Sequence, residues 1–260
     1  MSLFLDAFTW LFSPERLVGD NSILLRLGQH LFFTLIAFVI ACAIAIPIGL
    51  LIGHTGKGRE IAVAISGAAR ALPSFGLILL LVLLIGVLNI GPAVTIALVL
   101  LAIPSILAGA YAGLEAVDRR TVDAARAVGM TEWQILTRVE IPLGLPLLIS
   151  GMRSGMLQIV ATATLAAYVG LGGLGFDILQ GIATREYQQT LGGAIVVVVL
   201  ALLIDFAFGL LERVVVPRGV RNARGGEQRA RFRPEDAAAR LTATAAAVGA
   251  GGGDGSAGGN

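Results

Sequence analysis

Long uncharged stretches alternate with short polar segments along the chain, and this pattern predicts helices that cross a membrane. Residues 31–53 carry no charge over 23 positions, and at about 1.5 Å per residue this length crosses a hydrocarbon layer of roughly 30 Å. Residues 71–114 also lack charge, which is more than one crossing needs. Because residues 89–92 (NIGP) form a turn signal inside that stretch, we predict that the chain reverses direction there.

Five spans account for the apolar stretches, so we predict an all-α, multi-pass membrane protein. We expect the second span to be one long, tilted helix from Glu60 to Leu88, kinked at Pro73, where the missing amide hydrogen breaks a helical hydrogen bond. An odd number of spans places the two chain ends on opposite sides of the membrane. The predicted spans are residues 31–53, 60–88, 92–114, 141–169 and 190–211.

The composition excludes an ordinary soluble protein. Hydrophobic residues make up 56% of the chain and charged residues only 14%, and the mean hydropathy is positive. Cys42 is the only cysteine and there are two histidines, too few for a disulfide framework or a metal cluster. The lack of a His, Cys or paired-carboxylate cluster argues against a membrane-embedded enzyme, so we expect no metal, no cofactor and no catalytic residue.

Arginine and lysine side chains concentrate in alternate loops, which predicts the orientation because cytoplasmic loops retain positive charge. Lys57 and Arg59 lie in one such loop, four arginines lie within residues 115–140, and eight arginines follow from Arg213 onward. We therefore predict a bacterial plasma (inner) membrane protein whose N-terminus lies outside and whose C-terminus lies in the cytosol.

The composition of the chain also changes toward its two ends. The last residues are rich in arginine, then in alanine and glycine, and such a composition cannot bury a core. Its arginines predict a solvated anchor near anionic membrane lipid rather than a specific regulatory site, and we expect no nucleic-acid partner. We expect an extracytoplasmic or interfacial segment (1–25), a transmembrane domain (26–216) and a disordered cytosolic tail (217–260).

Residues 115–140 are polar and carry helix-capping signals, although apolar spans precede and follow them. We predict that Thr121 caps a short helix with Asp123 in its first turn, where a negative charge suits the helix dipole. Gly129 is expected to end this helix in the left-handed conformation.

A second short helix is predicted directly after the first. Thr131 and Gln134 match a capping box, and Met130 and Ile135 occupy the two positions of a hydrophobic staple. We expect this helix to stop at Pro142, where the next span begins. Two capped helices at a fixed angle form a rigid knob, so we predict a docking surface for a cytosolic partner rather than a plain connector between spans.

The stretch DAARAVGMTEWQILTRVEIPLGLPLLISG, residues 123–151, resembles the cytoplasmic signature of binding-protein-dependent ABC importer permeases. That signature has a Glu-Ala-Ala triplet, a glycine six residues after its first member, and an apolar-x-apolar-Pro ending. Asp123 stands where the family usually has glutamate, which keeps the charge but shortens the side chain by one methylene. The other matching positions are Ala124, Ala125, Gly129, Val139, Ile141 and Pro142.

The resemblance extends over roughly residues 25–216 and implies the transmembrane domain of a type I ABC importer. It implies a second permease chain, identical or related, a dimer of cytosolic ABC ATPases and an extracytoplasmic solute-binding protein. The chain itself contains no phosphate-binding G-x-x-x-x-G-K-[ST] motif, so ATP hydrolysis is expected on the partner. The residues expected to couple to the ATPase are Asp123, Ala124, Ala125, Gly129, Thr131 and Glu132.

Three further stretches narrow the resemblance to permeases for osmoprotectants. These are ALPSFGLILLLVLL (71–84), YVGLGGLGFDILQGI (168–182) and GGAIVVVVLALLIDFAFGLLERVVVPRG (192–219). They imply transport of glycine betaine, choline, carnitine or a related quaternary amine. The alternatives are a permease of a methionine or other amino-acid importer and, in a different class, a stand-alone secondary transporter, which should bury a charge relay or contain inverted repeats.

Two sets of residues within the spans are candidate functional positions. Pro73, Ser74 and Phe75, at the predicted kink, are predicted to line the translocation path, where an aromatic ring can hold a quaternary amine by cation–π attraction; the alternative is simple packing at a kink. Arg153 and Asp205 are charges inside spans, which are costly unless paired or hydrated. Their similar depth predicts an ion pair; the alternative is that Arg153 extends to the membrane interface.

Glycine motifs occur at two places in the second half of the chain. Residues 170–175 (GLGGLG) satisfy the dinucleotide pattern G-x-G-x-x-G but follow an apolar helix rather than a strand, so we predict a tight turn at the outer mouth, where the solute-binding protein would dock. Gly151 and Gly155 form G-x-x-x-G, which permits close helix packing either within the chain or between two chains.

Overall fold

The computed structural model describes residues 2–17, 19 and 22–216, and every regular element in these ranges is helical. The predicted disordered tail, residues 217–260, lies outside the described residues. The α-helices are α1 (Ser2–Leu11), α2 (Pro14–Leu17), α3 (Ile23–Thr55), α4 (Arg59–Ala71), α5 (Ser74–Ile85), α6 (Ile90–Glu115), α7 (Arg119–Ala127), α8 (Glu132–Ile135), α9 (Ile141–Ala163), α10 (Gly175–Thr184) and α11 (Tyr187–Val215).

Four helical segments of the described chain are long and apolar enough to cross a membrane, and the bent pair α4 and α5 supplies a fifth if it is counted as one span. This confirms the predicted all-α, multi-span fold. The third of the four is continuous from α8 to α9 through the π-helical segment Leu136–Glu140. The four segments are Ile23–Thr55, Val87–Glu115, Glu132–Val169 and Tyr187–Val215.

The second predicted span is not one kinked helix, because α4 and α5 meet at 90° across Leu72 and Pro73. Pro73 has no amide hydrogen to continue α4, and the residue before a proline is driven out of the helical region. Leu72 is accordingly extended, with φ −70° and ψ 130°. The 12 residues of α5 reach only about 18 Å, so α5 alone is too short to cross the membrane.

α6 is the centre of the bundle and packs against α3 and α9. The approach of α6 and α9 requires glycine, because a Cβ atom on Gly109 would lie 2.6 Å from the Cα atom of Gly151. A Cβ atom on Gly155 would likewise lie 2.6 Å from Cγ1 of Ile106. The G-x-x-x-G motif of α9 therefore serves packing within the chain.

α11 contributes little to the interior of the bundle. Large apolar side chains such as Leu202, Leu203 and Phe206 are mostly exposed along it, as expected for a helix that faces lipid or a second chain. The N-terminal part of α11 packs closely against α1, since a Cβ atom on Gly192 would lie 2.6 Å from the indole ring of Trp10. The first helix of the chain therefore packs on the last span.

Candidate functional site

The first helix of the polar segment, α7, begins earlier than the sequence suggested. Asp118 is the N-cap, and its Oδ1 accepts a hydrogen bond of 2.9 Å from the backbone N–H of Arg120. The predicted cap, Thr121, lies inside the helix, and Asp123 lies beyond the first turn. The prediction was wrong because both residue types cap well, and only the backbone conformation selects between them.

Gly129 ends α7 as predicted. Its φ is +85°, and its N–H donates to the carbonyl oxygen of Arg126 at 2.9 Å. The next N–H, of Met130, donates back to the carbonyl oxygen of Ala125 at 3.2 Å. Because a left-handed residue here satisfies the last carbonyls of the helix, the chain turns sharply into α8.

The second helix opens with the predicted capping box. The Thr131 N–H donates to Oε1 of Gln134 at 3.0 Å, and the Gln134 N–H donates to Oγ1 of Thr131 at 3.4 Å. The helix does not stop at Pro142, however. Pro142 lies in the first turn of α9, where a missing amide hydrogen is tolerated, and the Ile141 N–H reaches the carbonyl oxygen of Leu136, which is π-helical bonding.

Residues 118–140, named the knob here, have their own small hydrophobic core. Ala125, one of the predicted coupling residues, belongs to this core, and its side chain faces the interior of the knob. A packed core makes the knob a rigid body. The buried core residues are Val117, Val122, Ala125 and Ile135, with Met130, Val139 and Leu143 partly buried around them.

The exposed surface of the knob contains the other predicted coupling residues and two apolar side chains that sequence reasoning missed. Val128 is 79% exposed and Trp133 is 72% exposed. Both residues lie in an otherwise polar segment, one before and one after Gly129. Large apolar residues at such positions could have indicated an apolar contact surface from the sequence alone. The predicted coupling residues that are exposed are Asp123, Ala124, Gly129, Thr131 and Glu132.

Charged side chains connect α7 to α8 across the knob. Arg126 Nε and Nη2 donate to the two carboxylate oxygens of Glu132 at 2.8 and 3.1 Å. Arg126 Nη1 also donates to Oδ1 of Asp123 at 3.2 Å. The hydrogen bond with Glu132 raises the pKa of Arg126, so this guanidinium is charged throughout the physiological range.

The same charged network extends from the knob to the end of α3. His54, in the last turn of α3, places Nδ1 2.5 Å from Oε2 of Glu140 and Nε2 3.4 Å from Oε2 of Glu132. Glu140 ends the π-helical segment and is 2% exposed. We call Asp123, Arg126, Glu132, His54 and Glu140 the knob network. Sequence reasoning missed it because His54 and Glu140 are 86 positions apart.

The predicted path residues Pro73, Ser74 and Phe75 lie at the right-angled bend between α4 and α5. Pro73 is the N-cap of α5, and its carbonyl oxygen accepts a hydrogen bond from the N–H of Leu77. The Phe75 ring packs on the ring of Tyr168, with centroids 5.0 Å apart and planes tilted by 60°. The bend therefore holds an aromatic pair beside the glycine-rich segment.

Arg153 of α9 and Asp205 of α11 are in contact. Nε and Nη2 of Arg153 donate to the two carboxylate oxygens of Asp205 in a bidentate arrangement. Both side chains are about one-third exposed. The contact ties the outermost span, α11, to α9.

A second polar cluster lies at the other end of α3. Arg26 and His54 are 28 residues apart on this helix, which separates them by roughly 42 Å. Arg26 Nη1 lies 3.0 Å from Oδ1 of Asp177, and Arg16 Nη1 lies 3.8 Å from the same oxygen. Gln189 Nε2 donates to that oxygen at 3.3 Å. We call these residues the Asp177 cluster.

Burial distinguishes the Asp177 cluster. Asp177 is 2% exposed, and Arg26 and Gln189 are also buried. Burial raises the pKa of Asp177, and the charges of Arg26 and Arg16 oppose that rise. The guanidinium of Arg26 also lies 4.0 Å from the centroid of the Phe176 ring. Sequence reasoning missed this cluster because it did not predict α10, which carries Asp177.

The predicted tight turn at residues 170–175 is formed, and it is attached to α3. Gly170, Gly172 and Gly173 all have positive φ values, and the Gly173 N–H donates to Oε1 of Gln29 at 3.1 Å. The His30 ring lies under the turn, so that a Cβ atom on Gly173 would lie 3.3 Å from Nδ1. The turn is therefore held in place from one side by two polar side chains of α3.

Within the part of the chain that the structure describes, no group of three or more His, Cys, Asp or Glu side chains is arranged to hold a metal ion. The polar clusters instead pair acids with bases between helices. Such contacts position helices relative to one another.

Comparison with known proteins identifies relatives that are all transport permeases. Residues 45–219 match the family described as binding-protein-dependent transport system inner membrane component. The chain is 36% identical to the carnitine transport permease protein OpuCB of Listeria monocytogenes, over 80% of this chain and 95% of that protein. It is 32% identical to the glycine betaine/carnitine/choline transport system permease protein OpuCB of Bacillus subtilis, over 78% of this chain and 92% of that protein.

A solved structure shares the fold. An inward-facing conformation of the MetNI methionine ABC transporter is similar with a TM-score of 0.66 and 24% identity, over 75% of this chain and 96% of that chain. This likeness concerns the fold alone. The chain belongs to the family of binding-protein-dependent transport system inner membrane components, and it is a permease subunit of an ABC importer with the type I fold.

Proposed function

We propose that this permease carries a small osmoprotectant, namely glycine betaine, choline, carnitine or a related quaternary amine, and that ATP hydrolysis on a separate subunit drives the transport. The single observation that carries the proposal is the similarity to permeases whose names specify these solutes. The two relatives described above are covered over 95% and 92% of their own lengths. The similarity therefore extends over nearly the whole length of each relative.

The knob is the proposed contact with a dimer of cytosolic ABC ATPases. Its rigid core and its exposed Val128 and Trp133 side chains support this assignment, because exposed apolar patches surrounded by polar residues mark protein contacts. Asp123 and Glu132 add negative charge to the same surface, with Arg126 between them. Ala124, Gly129 and Thr131 are proposed to permit close approach of the partner.

We also propose the remaining partners and the orientation. A second permease chain, identical or related, completes the membrane part, and an extracytoplasmic solute-binding protein docks at the glycine-rich turn. The concentration of positive charge near the knob supports a cytosolic knob, an external N-terminus and a cytosolic C-terminus. Alternating access then follows as a rigid-body movement of the spans, driven through the knob.

The bend at Pro73, Ser74 and Phe75 is the proposed part of the translocation path. The aromatic pair of Phe75 and Tyr168 supports this assignment, because the faces of aromatic rings attract quaternary ammonium groups. A path has to release its cargo, so tight and selective binding is assigned to the solute-binding protein.

Uptake of labelled solutes tests the proposal. A deletion strain and the same strain complemented with the wild-type gene are supplied with carnitine, glycine betaine, choline or methionine. We expect the deletion to abolish uptake of at least one quaternary amine and complementation to restore it. Loss of methionine uptake alone would contradict the osmoprotectant assignment and leave the ABC permease assignment standing.

Purified components separate the proposal from a stand-alone transporter. In proteoliposomes, the permease should move no labelled carnitine until its ATPase and binding protein are added with ATP. A variant with Trp133 changed to alanine should bind the ATPase less tightly, whereas changing the exposed Leu202 of α11 to alanine is a matched control away from the knob. Uptake by the permease alone would support a secondary transporter instead.

A further inference from the structure

We propose that His54 is a positioning residue that fastens the knob to the end of α3, so that a movement of the knob is passed to the first span as well as to the fourth. This inference rests on the proposed function, in which the knob receives the movement of the ATPase. It assigns a mechanical role to a residue that lies outside the knob.

The connectivity of the chain explains why such a link is needed. The knob continues directly into α9 through the π-helical segment Leu136–Glu140, and the two residues 116–117 connect it to α6. α3 has no comparable covalent connection, because His54 lies 78 positions before Glu132 in the sequence. The end of α3 packs closely on the end of α6 at Gly53, and its direct contact with the knob is made by the side chain of His54.

The geometry of His54 suits this purpose. Its two ring nitrogens face two different carboxylates, with Nδ1 2.5 Å from Glu140 and Nε2 3.4 Å from Glu132. Each ring nitrogen of an imidazole can take part in a hydrogen bond, so one histidine can contact two carboxylates. One side chain of α3 thus bridges the surface of the knob and the base of α9.

The two contacts of His54 differ in strength because their burial differs. Glu132 is more than half exposed and shares its carboxylate with Arg126, and exposed ion pairs contribute little. Glu140 is buried, and a buried carboxylate is costly to leave without a partner. The contact with Glu140, at the end of the knob where α9 begins, is therefore the main link to α3, and the contact with Glu132 adds a weaker one at the exposed surface of the knob.

Distance measurements on the permease alone test the mechanical link. Spin labels are placed at Lys57 and Val128 in a Cys42→Ser background, and their separation is measured by electron paramagnetic resonance in lipid nanodiscs. We expect one narrow distance distribution for the parent protein and a clearly broader one for His54→Ala. An equally narrow distribution in His54→Ala would overturn the inference.

Two further variants keep this experiment decisive. Arg59→Ala is the matched control, because it removes an ion pair of 3.2 Å with Glu115 at the same end of the bundle without touching His54, and it should leave the distribution narrow. His54→Phe keeps a ring at this position but removes the contacts with both carboxylates, so it should broaden the distribution even if His54→Ala fails to fold. A narrow distribution in both His54→Ala and His54→Phe contradicts the proposal.

Transport measurements then test the consequence. In proteoliposomes with the ATPase and binding protein, the amount of labelled carnitine moved per ATP hydrolysed should fall about fivefold or more in His54→Ala, in the range of ordinary coupling effects. The thermal midpoint is measured alongside, since a purely structural role would lower stability without changing this ratio. An unchanged ratio in His54→Ala overturns the inference, whereas a wild-type protein that does not couple at all contradicts the proposed function instead.

Discussion

The two polar clusters at opposite ends of α3 contain similar residue types in different surroundings. In the knob network, Asp123, Arg126 and Glu132 are roughly half exposed or more, and only Glu140 is fully buried. In the Asp177 cluster, by contrast, Arg26 and Asp177 are both buried. Exposed ion pairs can exchange partners at low cost, whereas a buried pair holds one arrangement.

The exposed knob network is suited to contact with a partner, whereas the buried Asp177 cluster holds helices together. Burial raises the pKa of Asp177, and the nearby charges of Arg26 and Arg16 oppose that rise. The buried contacts of Arg26, Asp177 and Gln189 join α3, α10 and α11. The knob network can instead offer its carboxylates to a partner.

The largest effect is expected from breaking the buried cluster. Asp177→Ala should lower the free energy of unfolding by about 3–5 kcal/mol, because it removes a carboxylate that lies 3.0 Å from the buried guanidinium of Arg26. Chemical denaturation in detergent micelles measures the change. Asp6→Ala, an exposed aspartate of α1, is the matched control and should have almost no effect.

A double substitution sharpens the same test. Replacing Arg26 by methionine together with Asp177 by leucine removes both charges and should recover at least half of the stability lost in Asp177→Ala. If Asp177→Ala itself cost less than about 1 kcal/mol, the cluster would not be a structural fastening and the contrast with the knob would disappear.

An intermediate effect is expected from the pair between Arg153 and Asp205, which is neither fully buried nor fully exposed. Reversing either charge alone should lower the midpoint of thermal unfolding by about 2–4 °C, and exchanging the two charges should restore most of the loss. Differential scanning fluorimetry measures the midpoints. A double exchange that recovers neither stability nor uptake would show that this contact is not a functional pair.

A smaller effect is expected from Arg126→Ala on the surface of the knob. The midpoint should fall by less than about 2 °C at low salt, and the difference should vanish at about 0.5 M salt because exposed ion pairs are screened. The same salt series on Asp177→Ala is the comparison, since burial protects that cluster from screening. A loss for Arg126→Ala that persists in high salt would contradict the exposed character of the network.

The smallest effect on stability, and the most informative effect on transport, is expected from Asp123→Ala. The carboxylate is exposed and lies beyond the first turn of α7, so the thermal midpoint should not change. ATP-driven carnitine uptake should nevertheless fall, whereas Asp123→Glu should retain it. Unchanged uptake in Asp123→Ala would show that this carboxylate is only a surface charge.

Local signals in the sequence predicted much of the knob. The capping box of Thr131 and Gln134 and the turn at Gly129 depend on neighbouring residues, and both are formed. The N-cap was placed at Thr121 instead of Asp118 because both are good caps, and the choice depends on where the apolar face of α7 meets the core of the knob. α10 was missed for a related reason, since it is short and follows closely on a glycine-rich turn.

The sequence by itself determined that the chain is an α-helical membrane protein with a capped polar knob, because span length, charge-free runs and caps depend on residues close together in the chain. Only the tertiary structure decided that α4 and α5 meet at a right angle, that Ala125 faces inward, and that Gly151 packs on Gly109. It also brought His54 to Glu140 and Arg26 to Asp177. Such pairs are separated by many residues, and no local pattern specifies which distant side chains a folded bundle brings together.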